Sequence, residues 1–305
     1  MHDPVIVREG GWYYVFCTGG SIRRSRDLHE WALCGKVFDK SPEWFAREIP
    51  GHRGGYWAPD ISYHAGTDRL FYAVSTFGSN VSAIGLATNE ALDPASPKNR
   101  WVDRGIVFRS HGQDDFNAID PNLAVDEGGD HWLVFGSFWG GIKMRRIDPE
   151  TGMLAPGDPT LYALAGRPRG PRPEAPHAPS QVPAIEAPFV VRHQGFYYLF
   201  VSFDFCCRGA KSTYNIVVGR AAKITGPYTD KGGKPMMDGG GTRLVEGTSL
   251  WRGPGHEGLL TEPGRDLIVF HAYDGTYGRP SLQISTLAWE DGWPRMALLP
   301  GDPLP

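Results

Sequence analysis

The chain contains 305 residues, of which 41% are hydrophobic and 21% are charged, and its formal net charge is −3. Such a chain is a globular protein large enough to bury a sizeable core, and its length allows one domain or two. Because 31 basic residues face 34 acidic ones, nothing in the charge favours nucleic acid or a membrane surface as a partner. No apolar stretch approaches the roughly 18 residues of a membrane span.

Strands rich in aromatic and β-branched residues recur five times along the chain. They read WYYVFCT from Trp12, LFYAVST from Leu70, HWLVFGS from His131, FYYLFVS from Phe196 and DLIVFHA from Asp266. Corresponding positions are separated by 58, 61, 65 and 70 residues. Units of that length, with several short strands and no convincing amphipathic helix, predict an all-β fold, a five-bladed β-propeller, as a single domain over residues 1–305. A plain β-sandwich is the alternative.

Another strand precedes each aromatic strand, by about ten residues in the first four repeats and by 20 in the fifth. These strands read DPVIVRE, PDISYHA, DPNLAVDE, EAPFVVRH and EGTSLWRG, and each carries an acid at or near its start: Asp3, Asp60, Asp120, Glu186 and Glu246. The first strand of each propeller blade lines the central channel, so we expect these acids to gather at one end of the axis. Carboxylates crowded together push their pKa values apart.

Glu186 stands in the apolar stretch PAIEAPFVV. A carboxylate there costs several kcal/mol unless it is partnered or protonated. Glycoside hydrolysis needs a pair of acids, one protonated to donate to the leaving oxygen and one ionised, and the apolar setting suits Glu186 to the first role. A ring of acids that binds a cation or water is the alternative. A proline-rich insertion at about residues 165–183 precedes this strand, either as a surface loop or as a wall of the cleft.

Eight segments together resemble the arabinanases of glycoside hydrolase family 43 nearly from end to end: HDPVIV, WAPDIS, STFGSNVSAIGLAT, NAIDPN, GSFWGGIKM, AIEAPF, SFDFCCRGAKSTYNIVVGR and FHAYDG. The resemblance is to the endo-acting α-1,5-L-arabinanases more than to the xylosidases of that family. It implies a five-bladed propeller with the active site in a cleft across one end of the axis. It also implies hydrolysis, with inversion, of α-1,5-L-arabinofuranosidic linkages in arabinan and arabino-oligosaccharides.

The resemblance implies a role for each matching residue. Asp3 would be the general base, Glu186 the general acid, and Asp120 the third acid that orients substrate and keeps the pKa of Glu186 high. Substrate contacts are implied for Trp57, Phe77, Gly78, Asn117, Ser137, Phe138 and Trp139. His271 is implied to bind a calcium ion near the axis that is completed largely by water. This last expectation depends on resemblance alone, because imidazole is a poor calcium ligand.

Two other functions compete with this interpretation. An exo-acting family relative, an arabinofuranosidase or β-xylosidase, would use the same three acids and release only monosaccharide. A propeller lectin would bind sugar without cutting it. The enzyme is expected to act as a monomer on a polysaccharide, without nucleic acid or membrane partners. A polymeric plant substrate favours secretion, although the chain starts without a basic–apolar–small leader.

The cysteines and several tryptophans are expected to have structural roles. Four cysteines are too few for a disulfide scaffold, and the adjacent Cys206 and Cys207 are expected as free thiols or a labile bridge. Trp101, Trp251 and Trp289 are expected to pack between blades.

Overall fold

The computed structural model describes residues 1–168 and 183–296, which form five antiparallel sheets of four strands each. In every sheet the four strands follow one another in chain order, so each sheet is one contiguous stretch of sequence. The five aromatic strands predicted from the sequence are the second strands of the five sheets. Within these residues, no helix is both long and apolar enough to cross a membrane.

Each blade consists of four consecutive strands. Blade 1 consists of β1 (Val5–Glu9), β2 (Trp12–Phe16), β3 (Ser21–Ser25) and β4 (Ala32–Lys36). Blade 2 consists of β5 (Trp57–His64), β6 (Thr67–Val74), β7 (Ser82–Asn89) and β8 (Val102–Ser110). Blade 3 consists of β9 (Asn122–Val125), β10 (His131–Phe135), β11 (Ile142–Ile147) and β12 (Tyr162–Ala165). Blade 4 consists of β13 (Ile185–His193), β14 (Phe196–Phe203), β15 (Asn215–Ala221) and β16 (Thr242–Val245). Blade 5 consists of β17 (Trp251–Glu262), β18 (Arg265–Asp274), β19 (Pro280–Glu290) and β20 (Trp293–Met296).

Helical structure is confined to short segments between strands. One α-helix, α1 (Trp44–Glu48), connects blades 1 and 2, and two 3₁₀ turns span Gly209–Lys211 and Met236–Asp238. The expected absence of amphipathic helices therefore holds for the described residues. The predicted insertion at 165–183 lies mostly outside them.

The first strands of the five blades form a closed ring. Strand β1 packs beside β5, β5 beside β9, β9 beside β13, β13 beside β17, and β17 beside β1 again. First strands that meet in this cyclic order surround a common axis, which confirms the five-bladed β-propeller and excludes the sandwich.

Five hydrophobic clusters hold the ring together, one between each pair of neighbouring blades. Burying one large apolar side chain stabilises the fold by roughly 1.5–3 kcal/mol, so these interfaces supply most of the stability. Trp101 packs against the cluster between blades 1 and 2, and Trp251 and Trp289 against the one between blades 4 and 5, as predicted. The cluster between blades 5 and 1 is small, and Glu262 reinforces it by accepting a hydrogen bond from Arg8 at 2.8 Å.

One residue near the start of every first strand has a left-handed backbone. These residues are Asp3 (φ 51°), Ala58 (41°), Asp120 (56°), Ala187 (55°) and His256 (55°). A left-handed residue other than glycine costs roughly 1–3 kcal/mol, and such residues cluster at functional sites. The strand pairing shifts register at three of these positions, in β5, β13 and β17. These repeated irregularities change the direction in which side chains point at one end of the axis.

The prediction that Glu246 belongs to the ring of acids was wrong. Glu246 follows the outer strand β16 of blade 4, is exposed, and pairs with Arg243 at 2.7 Å. The fifth first strand starts later, at Trp251, so the blade 5 counterpart of Asp3 in the left-handed series is His256. Asp60 does lie on a first strand, where it accepts a hydrogen bond from the backbone N–H of Leu123 at 2.7 Å and links blades 2 and 3.

Candidate active site

Asp3, Asp120 and Glu186 meet at this end of the axis. They come from blades 1, 3 and 4, and each residue is less than a tenth exposed. Asp120 Oδ2 accepts a hydrogen bond at 3.1 Å from the backbone N–H of Ala187, the residue that follows Glu186. The charges of Glu186 and Asp3 both raise the pKa of Asp120, so the protonation of this acid depends on the other two.

Two hydroxyl groups hold the Glu186 carboxyl. Ser137 Oγ donates to Oε2 at 2.5 Å, and the Tyr214 hydroxyl donates to Oε1. Burial raises the pKa of Glu186; the two hydroxyl donors oppose that rise, and the charge of Asp3 adds to it. The net result is a raised pKa, which favours the protonated form that a general acid requires.

Asp3 has the opposite environment. Its Oδ1 lies 2.8 Å from His2 Nδ1 and 3.2 Å from His256 Nδ1, and Thr18 Oγ1 donates to Oδ2 at 2.5 Å. Burial alone would raise the pKa of Asp3, but the histidine charges, that of His2 foremost, hold it well below its ordinary value. The pKa of His2 is itself raised, mainly by Asp3 against the effect of burial, whereas burial lowers that of His256. His2 is therefore the cation that keeps Asp3 ionised.

Asp120 lacks such a cation. Burial raises its pKa well above the ordinary value, and the charges of Glu186 and then Asp3 raise it further. Among these residues the surroundings favour the ionised form of Asp3 and the protonated forms of Asp120 and Glu186. Additional positive charge near the axis would favour ionisation of Asp120.

His271 lies beside Asp3 and is fully buried, with 0% exposure. Its Nδ1 is 3.2 Å from the backbone nitrogen of Asp3 and 3.5 Å from Asp3 Oδ1, and its ring stacks on that of His2 at 3.9 Å between centroids. Its Nε2 has no hydrogen-bond partner among residues 1–168 and 183–296. Burial lowers the pKa of His271 well below its ordinary value, which favours the neutral ring, and because Nδ1 accepts a hydrogen bond from the backbone N–H of Asp3, the ring proton lies on Nε2.

Aromatic side chains predicted to contact substrate lie at the surface of the same end. Phe77 is 78% exposed, and its ring meets that of Trp57 edge to face at 6.1 Å. Phe138 and Trp139 are partly exposed and both have left-handed backbones, in the loop after β10. The backbone N–H of Phe138 donates to the carbonyl of Ile185 at 2.8 Å, which fixes this loop beside Glu186. Gly78, next to Phe77, is exposed.

Two other predicted contact residues point into the protein. Asn117 is 3% exposed, and its Oδ1 accepts a hydrogen bond from Ser82 Oγ at 2.7 Å. Ser137 is equally buried and donates to Glu186. The structure therefore gives Ser137 a role in orienting the acid. Direct contact between these two side chains and a sugar stays a prediction.

The sequence profile of Glycosyl hydrolases family 43 matches residues 1–294. The chain belongs to glycosyl hydrolases family 43. It is 42% identical to the extracellular exo-α-(1→5)-L-arabinofuranosidase ArbA of Cellvibrio japonicus, over 97% of this chain and 86% of that protein. It is 41% identical to the extracellular endo-α-(1→5)-L-arabinanase 1 of Bacillus subtilis, over 96% of this chain and 87% of that protein. The solved structure of Cellvibrio cellulosa α-L-arabinanase complexed with arabinohexaose superposes with a TM-score of 0.90 at 41% identity, over 97% of this chain and 95% of that one.

Several residues around the acids of this family 43 protein were not singled out from the sequence. His2 and Tyr214 stand inside the quoted segments HDPVIV and SFDFCCRGAKSTYNIVVGR, so the motifs contained a signal for them. Thr18 ends the quoted strand segment WYYVFCT, His256 lies outside every quoted segment, and only the folded structure brings them to Asp3.

Glu257 is a further buried acid that the sequence reading missed in this family 43 chain. It is 3% exposed and accepts a hydrogen bond from Ser202 Oγ at 3.1 Å through Oε2. Its Oε1 has no partner within the described part of the chain. Burial raises the pKa of Glu257 to about 8, and its charge also raises that of Asp120.

Proposed function

We propose that this protein is an inverting glycosidase that hydrolyses α-1,5-L-arabinofuranosidic linkages within arabinan chains. The observation that carries the proposal is the opposite pKa shift of two neighbouring acids, lowered for Asp3 and raised for Glu186. An ionised base and a protonated acid on different blades are the pair that glycoside hydrolysis by inversion requires.

Asp3, Glu186 and Asp120 each have a separate role in the reaction. Asp3 accepts a proton from water, whose oxygen attacks the anomeric carbon from the face opposite the leaving group. Glu186 donates its proton to the oxygen of the departing sugar, and the glycosidic bond breaks. Asp120 orients the substrate and, when ionised, keeps the pKa of Glu186 high. Cleavage leaves Asp3 protonated and Glu186 ionised, and one proton exchange with solvent restores both.

Two relatives of similar identity favour different cutting modes. The Bacillus subtilis relative is named an endo-arabinanase and the Cellvibrio japonicus relative an exo-arabinofuranosidase. We propose internal cutting, because the sequence motifs resemble the endo-acting members and because Phe77, whose ring contacts Trp57, is exposed and free to contact a sugar unit. The second candidate is exo-acting hydrolysis by the same three acids.

Product sizes distinguish the two modes. We expect linear debranched α-1,5-arabinan, sampled at low conversion and sized by chromatography, to yield a ladder of oligosaccharides, because internal cuts fall at many positions. Reducing ends should appear in step with a rapid fall in viscosity. A single small product that appears while the polymer keeps its length would contradict internal cutting and establish the exo-acting alternative.

We also propose a calcium ion near the axis, bound by His271 Nε2. The residues fit such an ion, because Nε2 is buried without a partner among the described residues. Metal binding at Nε2 requires the tautomer with the proton on Nδ1, so it would give up the hydrogen bond that Nδ1 accepts from the backbone N–H of Asp3. A hard cation prefers oxygen, so water would complete the coordination, and Glu257 Oε1 is a buried carboxylate oxygen that also lacks a described partner. The bound charge would favour ionised Asp120.

Metal analysis tests this ion directly. We expect protein purified without chelator to contain about one divalent ion per chain, and EGTA to lower Tm because a ligand that binds only the folded state stabilises it. His271→Ala should abolish the EGTA-dependent part of the Tm. Protein free of stoichiometric metal, with a Tm that EGTA leaves unchanged, would contradict the proposal.

The partner we propose is arabinan or its oligosaccharides, bound by a monomeric, secreted enzyme. One family 43 neighbour was solved with arabinohexaose, and the two relatives are named extracellular. The disulfide between Cys206 and Cys207 agrees with an oxidising compartment.

A further inference from the structure

Three contacts connect the loop after β14 to the side chain of Asp3. The backbone N–H of Cys207 donates to the Tyr273 hydroxyl at 2.8 Å. That hydroxyl lies 2.6 Å from His2 Nε2, and His2 Nδ1 lies 2.8 Å from Asp3 Oδ1. Each link is a hydrogen-bond distance, so the position of Cys207 is transmitted to the Asp3 carboxylate through two side chains.

The disulfide fixes the first link of this path. Cys206 and Cys207 are bonded to each other, and Cys207 has a left-handed backbone with φ 66°. A left-handed backbone is unfavourable for cysteine, so covalent closure of the pair helps to keep the Cys207 N–H directed at Tyr273. Cys207 Sγ also lies 3.8 Å from His2 Nε2, and thus limits the movement of the imidazole on that side.

The residues that flank the pair are anchored independently of it. The backbone N–H of Arg208 donates to Ser212 Oγ at 3.0 Å, and that of Thr213 donates to the Phe205 carbonyl at 2.8 Å. Breaking the disulfide would therefore free the dipeptide while the rest of the loop keeps its bonds. His2 is confined on its other face by the ring of His271.

We propose that the Cys206–Cys207 disulfide and Tyr273 are positioning elements that hold His2 against Asp3, so that reduction of the disulfide slows hydrolysis. The inference rests on the proposed role of Asp3 as the base. The effect is partial, because Thr18 and His256 still contact Asp3 when His2 is displaced. Loss of one hydrogen bond in such a path corresponds to a fall of roughly 3- to 10-fold in kcat.

The experiment compares three proteins with and without a water-soluble phosphine on debranched arabinan. The phosphine gives two electrons to the disulfide and becomes the phosphine oxide, and one water supplies the oxygen of the oxide and the hydrogens of the two thiols. Thiol titration of the denatured protein verifies the change, since Cys17 and Cys34 are already free. The proteins are the wild type, Tyr273→Phe, which removes only the hydroxyl, and the double variant Cys206→Ser/Cys207→Ser.

Reduced wild type and both variants should show the 3- to 10-fold lower kcat with an unchanged KM, and reoxidation of the wild type should restore its rate. The phosphine should have no effect on the double serine variant, which has no disulfide to reduce. A fully reduced wild type with an unchanged kcat would overturn the inference. A change in KM alone would overturn it as well, because the dipeptide would then act on substrate and not on Asp3. Recovery of kcat when the wild type is reoxidised tests the inference even if the variants fold poorly.

Asp3→Asn separates this inference from the proposed function. If that variant is inactive while reduced wild type and Tyr273→Phe remain at full rate, the inference fails and the base assignment stands. If Asp3→Asn remains active, the base assignment itself is wrong.

Discussion

Replacing Glu186 with Gln is expected to lower kcat on arabinan by about 10²- to 10⁴-fold, the usual contribution of a general acid. Gln keeps the size of the side chain and can still hydrogen-bond both Ser137 and Tyr214, accepting from one hydroxyl through its oxygen and donating to the other through its NH2, but it has no acidic proton to give to the leaving oxygen. The rate on arabinan should also fall at alkaline pH in the wild type, as Glu186 loses its proton at a raised pKa. Steady-state kinetics across a pH series measures both effects.

An activated substrate provides the control for Glu186. An aryl α-L-arabinofuranoside with a strongly acidic phenol departs without protonation, so Glu186→Gln should retain most of the wild-type rate on it. The fall in rate at alkaline pH, which comes from deprotonation of Glu186, should also disappear on this substrate. Equal impairment on both substrates would contradict the acid role, because a general acid matters most when the leaving group is poor. Sugar binding without any cleavage by the wild type would instead establish the lectin.

Replacing Asp3 with Asn is expected to lower kcat by a similar factor on both substrates. Attack by water needs a base however good the leaving group is, and an amide cannot accept the proton. Added azide should restore the rate of Asp3→Asn on the aryl substrate, because an anionic nucleophile needs no base, and the glycosyl azide should have inverted configuration. The same azide should leave Glu186→Gln unchanged.

Stability against pH verifies the state of Asp3 independently of activity. The folded-state pKa of Asp3 lies below its ordinary value of 3.8, so its ionised form stabilises the fold above that pH. This contribution is lost as pH falls through the lowered folded-state pKa. Asp3→Asn should therefore have a lower Tm than the wild type at neutral pH, and the difference should shrink on acidification. A base role would be wrong if Asp3→Asn kept wild-type kinetics, and the pKa argument would be wrong if the difference in Tm did not depend on pH.

The sequence by itself determined the fold and the three acids. Five aromatic strands at nearly equal spacing are a local signal, because each blade is one contiguous stretch whose strands pair with their chain neighbours. The strand pattern pointed to five acids, and Asp3, Asp120 and Glu186 were selected among them because HDPVIV, NAIDPN and AIEAPF resemble segments of the family 43 arabinanases. The prediction for Glu246 was wrong because it placed the first strand of blade 5 one strand too early in the sequence. This acid lies on the outer edge of blade 4.

Only the tertiary structure decided how these acids differ. Asp3 and Glu186 are both buried, yet the pKa of one is lowered and that of the other raised. The charges of His2 and of His256 in blade 5 lower the pKa of Asp3, whereas burial raises that of Glu186 against the hydroxyl donors Ser137 and Tyr214, which stand 49 and 28 residues away in the chain. A pKa depends on burial and on neighbours within a few ångströms, and closure of the ring creates both from distant parts of the chain. The periodicity of strands along the sequence gives no information about those distances.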